Sequence, residues 1–562
     1  MRSSLATVLL LAVFAILCVQ GALRDSPTVD EFAHLPAGYW TLETGRFELF
    51  PLNPPLVKVL SALPLLALDP AIDTASPIEN TGWFPWVYGT GFMERNRPIY
   101  DRIFLFGRLP VIALGMLLGW VAFLWARELY GAEAGLVALF FLAFCPPLIA
   151  HAHLATTDVG FAAFTVLALW TFQRYVHGPT WARLAVCGVA LGLAQLAKMS
   201  ALLLYPLFLL LLAITLVRER SRSFSRGGGL AAIFLISLLV LDAGYLFQGV
   251  GRPLGDYRFE SRALRAAASV LPDGLPVPLP SAYLQGLDAL QLINDTGEFP
   301  EYLFGRWSRQ GSPAYYLISI VFKTPLPLLL TFLAAPFARR KDDSIQAPPG
   351  EVFLWLPALA LLIWFSFFSS VHYGIRYVLP VVPLLTIWSA RLVPWLRTRG
   401  RVLRGTGVAL LAIYPLSVLL STPDTISYFN LLAGGRGDEI LLDSNLDWGQ
   451  GLKRVRAYMD REGIDEIGLA YFGHVDPALY GIRWQFPHPS RPGLVAVSAN
   501  FLHGYPYATY AGGRIVPVPP GAFTWLGRFP RVADLGGGIF VYDVSSRSSA
   551  RPLRRPERAR QR

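Results

Sequence analysis

The stretch FLFGRLPVIALGMLLGWVAFLWA, residues 104–126, is mostly apolar for long enough to cross a bilayer as one helix. A crossing takes roughly 17–25 such residues, because an α-helix rises about 1.5 Å per residue through a hydrocarbon core near 30 Å thick. Ten further segments meet the same test, near 5–22, 133–150, 158–174, 182–197, 200–217, 229–247, 314–337, 352–370, 377–396 and 404–421. Eleven such segments predict a polytopic all-α membrane protein. Composition agrees: 54% of the 562 residues are hydrophobic and 15% are charged, against about 25% charged in a soluble domain. Mean hydropathy is +0.44. Segment 5–22, followed closely by small residues in VQGA (19–22), also fits a cleaved signal peptide, and the rest of the topology is the same either way.

The formal charge of +11 is unevenly placed. The tail RSSARPLRRPERARQR (547–562) carries seven Arg against one Glu, a net of +6. What remains supplies no broad basic face, which excludes nucleic acid as a partner. Cys18, Cys145 and Cys187 all lie in apolar segments without CxxC spacing, which argues against a disulfide framework and a zinc site. They read as small packing residues.

Lys and Arg near the ends of crossings favour the cytoplasmic side. RERSRSFSR (218–226), ARRKDD (338–343) and RLVPWLRTRGRVLR (391–404) fall on one side if the N-terminus is cytoplasmic. The loop 23–103, with ten acidic and six basic residues, then lies outside, together with the turn 151–157, Lys198, the loop 248–313, His372 and everything after 421. This predicts a multi-pass inner-membrane protein with an extracytoplasmic face. Within the first outer loop, NPPLVKVLSALPLLAL (53–68) is apolar but short and Pro-rich, and predicts an interfacial helix.

Three parts follow. Residues 1–423 form the membrane domain. Residues 424–546 form a small extracytoplasmic α/β domain, with strands expected at 466–473, 493–500 and 537–544 and a helix at 449–464. Residues 547–562 form a basic, disordered tail suited to anionic lipid. In DSNLDWGQGLK (443–453), Asp443, Asn445 and Asp447 alternate like the start of an EF-hand. Gly449 is one place late and Arg454 stands where the bidentate Glu belongs, so an Asx-turn before a helix explains them better than calcium.

Ionisable residues gather at the outer ends of the crossings. DSPTVDEFAH (25–34) puts Asp30 and Glu31 after the first segment, HAHLATTD (151–158) brings Asp158, and Lys198, Lys323, His372 and Arg376 complete the set. A charge beside hydrocarbon costs roughly 2.5–3.5 kcal/mol, so such groups face a cavity or each other. Carboxylates opposite cations on one rim suit glycosyl transfer from a lipid phosphate. A carboxylate takes the proton of the attacking hydroxyl, and cations stabilise the departing phosphate. The bland alternatives are specific: Asp30 and Glu31 as a solvated helix start, Asp158 as a capping residue, and Lys198 snorkelling to the interface. His151 and His153 read as polar loop residues rather than metal ligands.

DEFAHLPAGYWTLETGRFELFPLNPPLVKVLSALP (30–64), HAHLATTDVGFAAF (151–164), LGLAQLAKMSALL (191–203) and HYGIRYVLPVVPLL (372–385) resemble the bacterial branch of the GT-C glycosyltransferases. These are similar to protein O-mannosyltransferases and lipid A aminoarabinose transferases, and the similarity runs over most of residues 20–420. The resemblance implies a hexosyl- or mannosyl-transferase-type enzyme that uses a polyprenyl-phosphate sugar on the extracytoplasmic face, with a protein, lipid or cell-envelope glycan as acceptor. Asp30 or Glu31 becomes the base candidate and Asp158 a second acidic point that orients the acceptor or a metal. Lys198, His372 and Arg376 become candidates for the donor phosphate; Lys323 joins them because of its depth in the apolar segment. No cofactor is specified; a divalent metal, if used, would draw on Asp30 and Asp158. The rival function is a secondary transporter or flippase for a lipid-linked or anionic substrate, which would hold its charges nearer midplane in two halves. A non-catalytic scaffold is a third reading, and it leaves Asp30, Asp158 and Arg376 without a common purpose.

Overall fold

The computed structural model describes residues 2–75, 83–219, 224–297, 300–338, 350–419, 421–422 and 424–545. The basic tail expected at 547–562 and much of the basic stretches at 218–226 and 338–343 lie outside the described residues.

Helix α1 (Arg2–Arg24) leads into α2 (Glu31–Thr44), α3 (Pro55–Ala62), α4 (Phe84–Arg95) and the long α5 (Tyr100–Tyr130). At about 1.5 Å per residue the 31 residues of α5 extend about 46 Å, beyond a core near 30 Å, so the helix projects past the hydrocarbon. The membrane part continues with α6 (Ala132–Ala143), α7 (Pro146–Ala152), α8 (Asp158–Val176), α9 (Trp181–Ala197), α10 (Leu204–Arg218) and α11 (Phe224–Gly244). The second outer loop carries α12 (Arg262–Val270), α13 (Ser281–Thr296) and a hairpin of β1 (Glu301–Leu303) with β2 (Arg306–Ser308). Then come α14 (Tyr315–Lys323), α15 (Leu326–Ala334), α16 (Val352–Phe367), α17 (Val381–Ser389), α18 (Leu392–Arg397) and α19 (Arg401–Leu419).

Every apolar segment read from the sequence contains helix, but several of the expected eleven crossings are not single straight helices. Among the described residues five helices are long and apolar enough to cross alone, or seven if each of two bent pairs counts as one. Two breaks have a local cause. Proline has no N–H and crowds the residue before it out of the helical region. Cys145, before Pro146, has ψ 109°, and Thr324, before Pro325, has ψ 132°. The pairs on either side bend by 64° and 119°. The expected crossing at 377–396 is likewise divided, between α17 and α18.

After α19 come α20 (Leu452–Glu462) and the strands β3 (Ile467–Ala470), β4 (Trp484–Gln485), β5 (Leu494–Ser498), β6 (Tyr507–Ala511), β7 (Arg514–Val518), β8 (Arg531–Asp534) and β9 (Ile539–Asp543). Five of them form one sheet in the order β4-β3-β5-β9-β8, with β3 parallel to β4 and β5 and the other pairs antiparallel. Strands β6 and β7 make a separate hairpin. Its two-residue turn, Gly512–Gly513, has φ +59° and +81°, the left-handed pair that matches strand twist and that glycine adopts without strain.

The sheet does not stand apart from the membrane helices. One apolar core joins Leu452, Val455, Ile467 and Ile539 to Phe32, Leu35, Phe92 and Phe104 of the first outer loop and α5. A second joins Trp448 and Phe472 to Val29, Ala150 and Leu154. The segment 443–446 also packs on the loop before residue 376. Gly374 has φ +83° there, and a β-carbon on it would lie 2.7 Å from Ser444 Oγ and 3.1 Å from Asn445 Oδ1. Gly374→Ala should therefore destabilise this junction by about 1–3 kcal/mol, seen as a lower thermal midpoint in nanodiscs and faster amide exchange around 443–446. Unchanged exchange there would mean that the two segments do not depend on each other.

Candidate functional site

A cavity of about 1100 Å³ opens between the two outer loops, the ends of the membrane helices and the C-terminal part of the chain. Asp30, His34, Lys198, Arg376 and Asp443 line it.

Asp30 occupies the position just before α2 but makes no capping bond with its side chain. The carboxylate instead accepts from Arg376 Nη1 at 2.6 Å. Arg376 sits on a single 3-10 turn, Ile375–Val378, with Nε donating to the Tyr373 carbonyl at 3.0 Å and the guanidinium 4.4 Å from the Trp448 ring. Its Nη1 is also 3.8 Å from Asp158 Oδ2. Asp158, the first residue of α8, is buried behind the cavity wall and accepts from Lys198 Nζ at 2.6 Å. Lys198 is extended between α9 and the next turn, with its ammonium 4.2 Å from the centre of the Tyr377 ring. The four charges alternate, Asp30, Arg376, Asp158 and Lys198, and sum to zero. Each cation is held by a carboxylate and an aromatic face while still lining the cavity.

Glu31 is placed differently from its neighbour. It is fully buried and absent from the cavity lining. Arg108 Nε and Nη2 donate to its two oxygens at 2.8 Å each, the Ala155 N–H donates at 2.8 Å, and the Thr28 N–H and hydroxyl donate at 2.9 and 3.0 Å. Burial alone would raise its pKa, but the Arg108 charge and these donors hold it below the usual carboxylate range. Arg108 also donates to the carbonyls of Ala22, Asp25 and Ser26, at 2.7, 2.8 and 3.2 Å. The pair thus fastens the 22–31 segment to α5.

His34 lies one helical turn after Asp30, on the same face of α2, with Nε2 3.5 Å from Asn53 Nδ2. Burial pushes its pKa down to about 4, so it is neutral at pH 7. Two other expected phosphate ligands do not reach the cavity lining. Lys323 donates to the Ile426 carbonyl at 2.8 Å and to the Asn445 carbonyl, and packs on the Phe429 ring at 4.4 Å. His372 Nδ1 lies 3.1 Å from Glu301, and its ring is 5.1 Å from both Tyr315 and Tyr316. Lys323 ties a broken helix to the chain after α19; His372 packs against the β1–β2 hairpin and α14. Asp30 and Asp158 do not fit a divalent metal as arranged, because Arg376 and Lys198 already neutralise them. Among the described residues no three His, Cys, Asp or Glu side chains converge on a metal position. His151 and His153 are buried rather than in a solvated loop: His153 Nε2 contacts Asp25 at 3.0 Å, and His151 meets the edge of Trp448.

Sequence reading passed over Arg108, although an arginine inside an apolar segment carries the same cost signal as the lysines. It also set aside Asp443, which lines the cavity with φ +59°, a left-handed conformation uncommon outside glycine. Burial pushes Asp443 up to about 6, against the pull of nearby Arg376. The Asx-turn reading holds one step along, where Asp447 Oδ1 accepts from the Gly449 N–H at 2.9 Å.

This is a multi-pass membrane protein with a charged cavity at one rim. Residues 103–241, from α5 to α11, match the family model described as dolichyl-phosphate-mannose-protein mannosyltransferase, so this part of the chain is similar to that family. Arg108, Asp158 and Lys198 fall within it. Among solved structures, ArnT from Cupriavidus metallidurans aligns with a TM-score of 0.46 bound to undecaprenyl phosphate and 0.47 in the apo state, at 15% and 14% identity. These alignments cover 97% and 98% of this chain and 99% and 100% of those chains. The archaeal oligosaccharyltransferase AglB from Archaeoglobus fulgidus, in complex with an inhibitory peptide and a dolichol-phosphate, aligns with a TM-score of 0.41 at 13% identity, over 82% of this chain and 59% of that one. No curated protein matches the sequence.

Removing one partner of a buried ion pair costs about 3–5 kcal/mol, because the other charge is left uncompensated. Glu31→Gln and Arg108→Met should each lower the thermal midpoint in nanodiscs accordingly. A loss of activity with an unchanged midpoint would instead place Glu31 in the chemistry.

Proposed function

We propose that this protein transfers a sugar from a polyprenyl-phosphate donor to an acceptor hydroxyl at the extracytoplasmic rim of the inner membrane. The observation that carries this reading is the placement of Asp30 in the cavity beside two cations that are held, yet accessible. The lipid tail would lie in the bilayer and its phosphate would sit between Arg376 and Lys198, as charge-assisted donors require. Asp30 takes the proton of the acceptor hydroxyl as its oxygen bonds to the anomeric carbon. The bond from that carbon to the phosphate oxygen breaks, and the electron pair leaves with polyprenyl phosphate, stabilised by Arg376 and Lys198. Asp158 holds both cations from behind. Glu31 acts on position only, by fixing the start of α2 through Arg108. The outer assignment is supported by the acidic first loop and by the clustering of Lys and Arg on the other side.

The test uses the full chain in nanodiscs with a panel of radiolabelled polyprenyl-phosphate sugars, scoring both transfer to membrane extract and hydrolysis by water. Asp30→Asn should lower turnover by about 10²–10⁴ while donor affinity is retained, the range expected for loss of a general base. Arg376→Gln and Lys198→Gln should weaken donor binding itself. Failure of every donor to bind, together with altered transport of a lipid-linked substrate by these variants, would replace this reading with a transporter.

A further inference from the structure

Two walls of the cavity differ in chemistry, while a third, from the second outer loop, carries Arg252, Arg258 and Arg309. The wall at the helix ends presents Lys198 and Arg376. The wall from the C-terminal part presents Asp443, Trp448, Phe472, Tyr505 and Tyr507, and among its described lining residues there is no cation. Trp448 serves as a platform for Arg376. The other rings form a rack: Phe472 and Tyr507 lie 4.6 Å apart, Phe472 and Tyr505 5.5 Å apart, and Tyr507 reaches Trp83 of the first outer loop at 5.8 Å.

Asp443 is held within this wall at some cost. A left-handed conformation is uncommon for a residue with a β-carbon, aspartate being among the more tolerant, and residues held in it are pinned by their surroundings and cluster at functional sites. Here the Asp443 N–H donates to Asn500 Oδ1 at 2.9 Å, while its carboxylate accepts from the Ser444 N–H at 2.7 Å and from the Tyr505 hydroxyl at 3.4 Å. The next two residues bind the Arg376 loop, with Ser444 Oγ donating to the Tyr373 carbonyl at 2.8 Å and the Ile375 N–H donating to Asn445 Oδ1 at 3.1 Å. Glycine would form the same turn without strain, so the turn by itself does not call for a carboxylate.

We propose that this wall is the acceptor subsite and that it takes a carbohydrate, with Asp443 accepting hydrogen bonds from ring hydroxyls and Tyr507 packing against the pyranose. The proposal rests on the glycosyltransferase reading above and adds the acceptor's chemical class. A sugar is a neutral polyol with C–H-rich faces, which suit aromatic rings, and with hydroxyls, which suit a carboxylate acceptor. The donor phosphate is repelled by Asp443 and finds no cation on this wall, which leaves the wall to a neutral ligand.

The experiment measures saturation-transfer NMR of methyl glycosides and di- to tetrasaccharides with the full chain in nanodiscs, with and without polyprenyl phosphate, beside a Ser/Thr-containing peptide. Asp443→Asn keeps an amide that tolerates the left-handed turn, and Tyr507→Leu removes the ring. Each should weaken saccharide binding at least tenfold and raise the acceptor KM, with polyprenyl-phosphate affinity changed less than twofold. If polyprenyl phosphate binds but no saccharide does, if both variants bind saccharide normally, or if only the peptide shows Asp443-dependent binding, this assignment is overturned while the parent reading stands. Saccharide signals lost together with polyprenyl-phosphate affinity in Asp443→Asn would place the carboxylate at the donor site and overturn it as well. Absence of any polyprenyl-phosphate binding to the unmodified chain removes both.

Discussion

The buried pair of Glu31 and Arg108 is the constraint on which the site depends. A charged pair moved out of water recovers its desolvation cost only when its remaining hydrogen-bonding capacity is also used. Glu31 accepts five hydrogen bonds, and Arg108 adds three backbone carbonyls to its two carboxylate contacts. Because those carbonyls belong to the last turn of α1 and the link to α2, the pair fixes where α2 begins. Asp30 precedes Glu31 by one residue, about 100° around the helix, so locking Glu31 against α5 leaves Asp30 directed into the cavity. The same turn is held from the sheet side, where Arg454 donates to Asp25 at 2.8 Å and the Ser26 N–H donates to the Gln450 carbonyl at 3.1 Å.

The row Asp30, Arg376, Asp158, Lys198 follows a related logic with an opposite purpose. Buried charges that bond only to each other add little to stability, yet they keep cations beside a cavity without a net charge to be compensated. An incoming phosphate can then compete for Arg376 and Lys198 while Asp158 keeps both in place. Aromatic faces at Trp448 and Tyr377 take part of each cation's surroundings, which limits the penalty when the carboxylate contact changes.

Much of this was legible from residue types. Apolar runs placed the helices, and the cost of charge near hydrocarbon singled out Asp30, Asp158, Lys198 and Arg376, which do meet. The same rule also selected Lys323 and His372, which the structure uses elsewhere. A cost signal reports that a charge needs partners, and backbone carbonyls satisfy Lys323 as well as a phosphate would. Arg108 stands inside an apolar segment rather than at its end, so its position does not mark it as part of a boundary site. The prolines at 146 and 325 were visible, but their effect on a continuous crossing depends on whether neighbouring chain can take over the lost bonds.

Within DSPTVDEFAH the sequence alone determined that four ionisable groups stand at the end of an apolar segment, and therefore that each needs a partner. Tertiary structure decided which: Asp25 ties to His153 and Arg454, Asp30 to Arg376, Glu31 to Arg108, and His34 faces the cavity near Asn53. These partners lie from 19 to 429 residues away along the chain. Local pattern fixes periodicity and burial, because those depend on neighbours a few residues apart. The pairing of charges depends on which distant segments the packed helices and the sheet bring together, and only the folded chain specifies that.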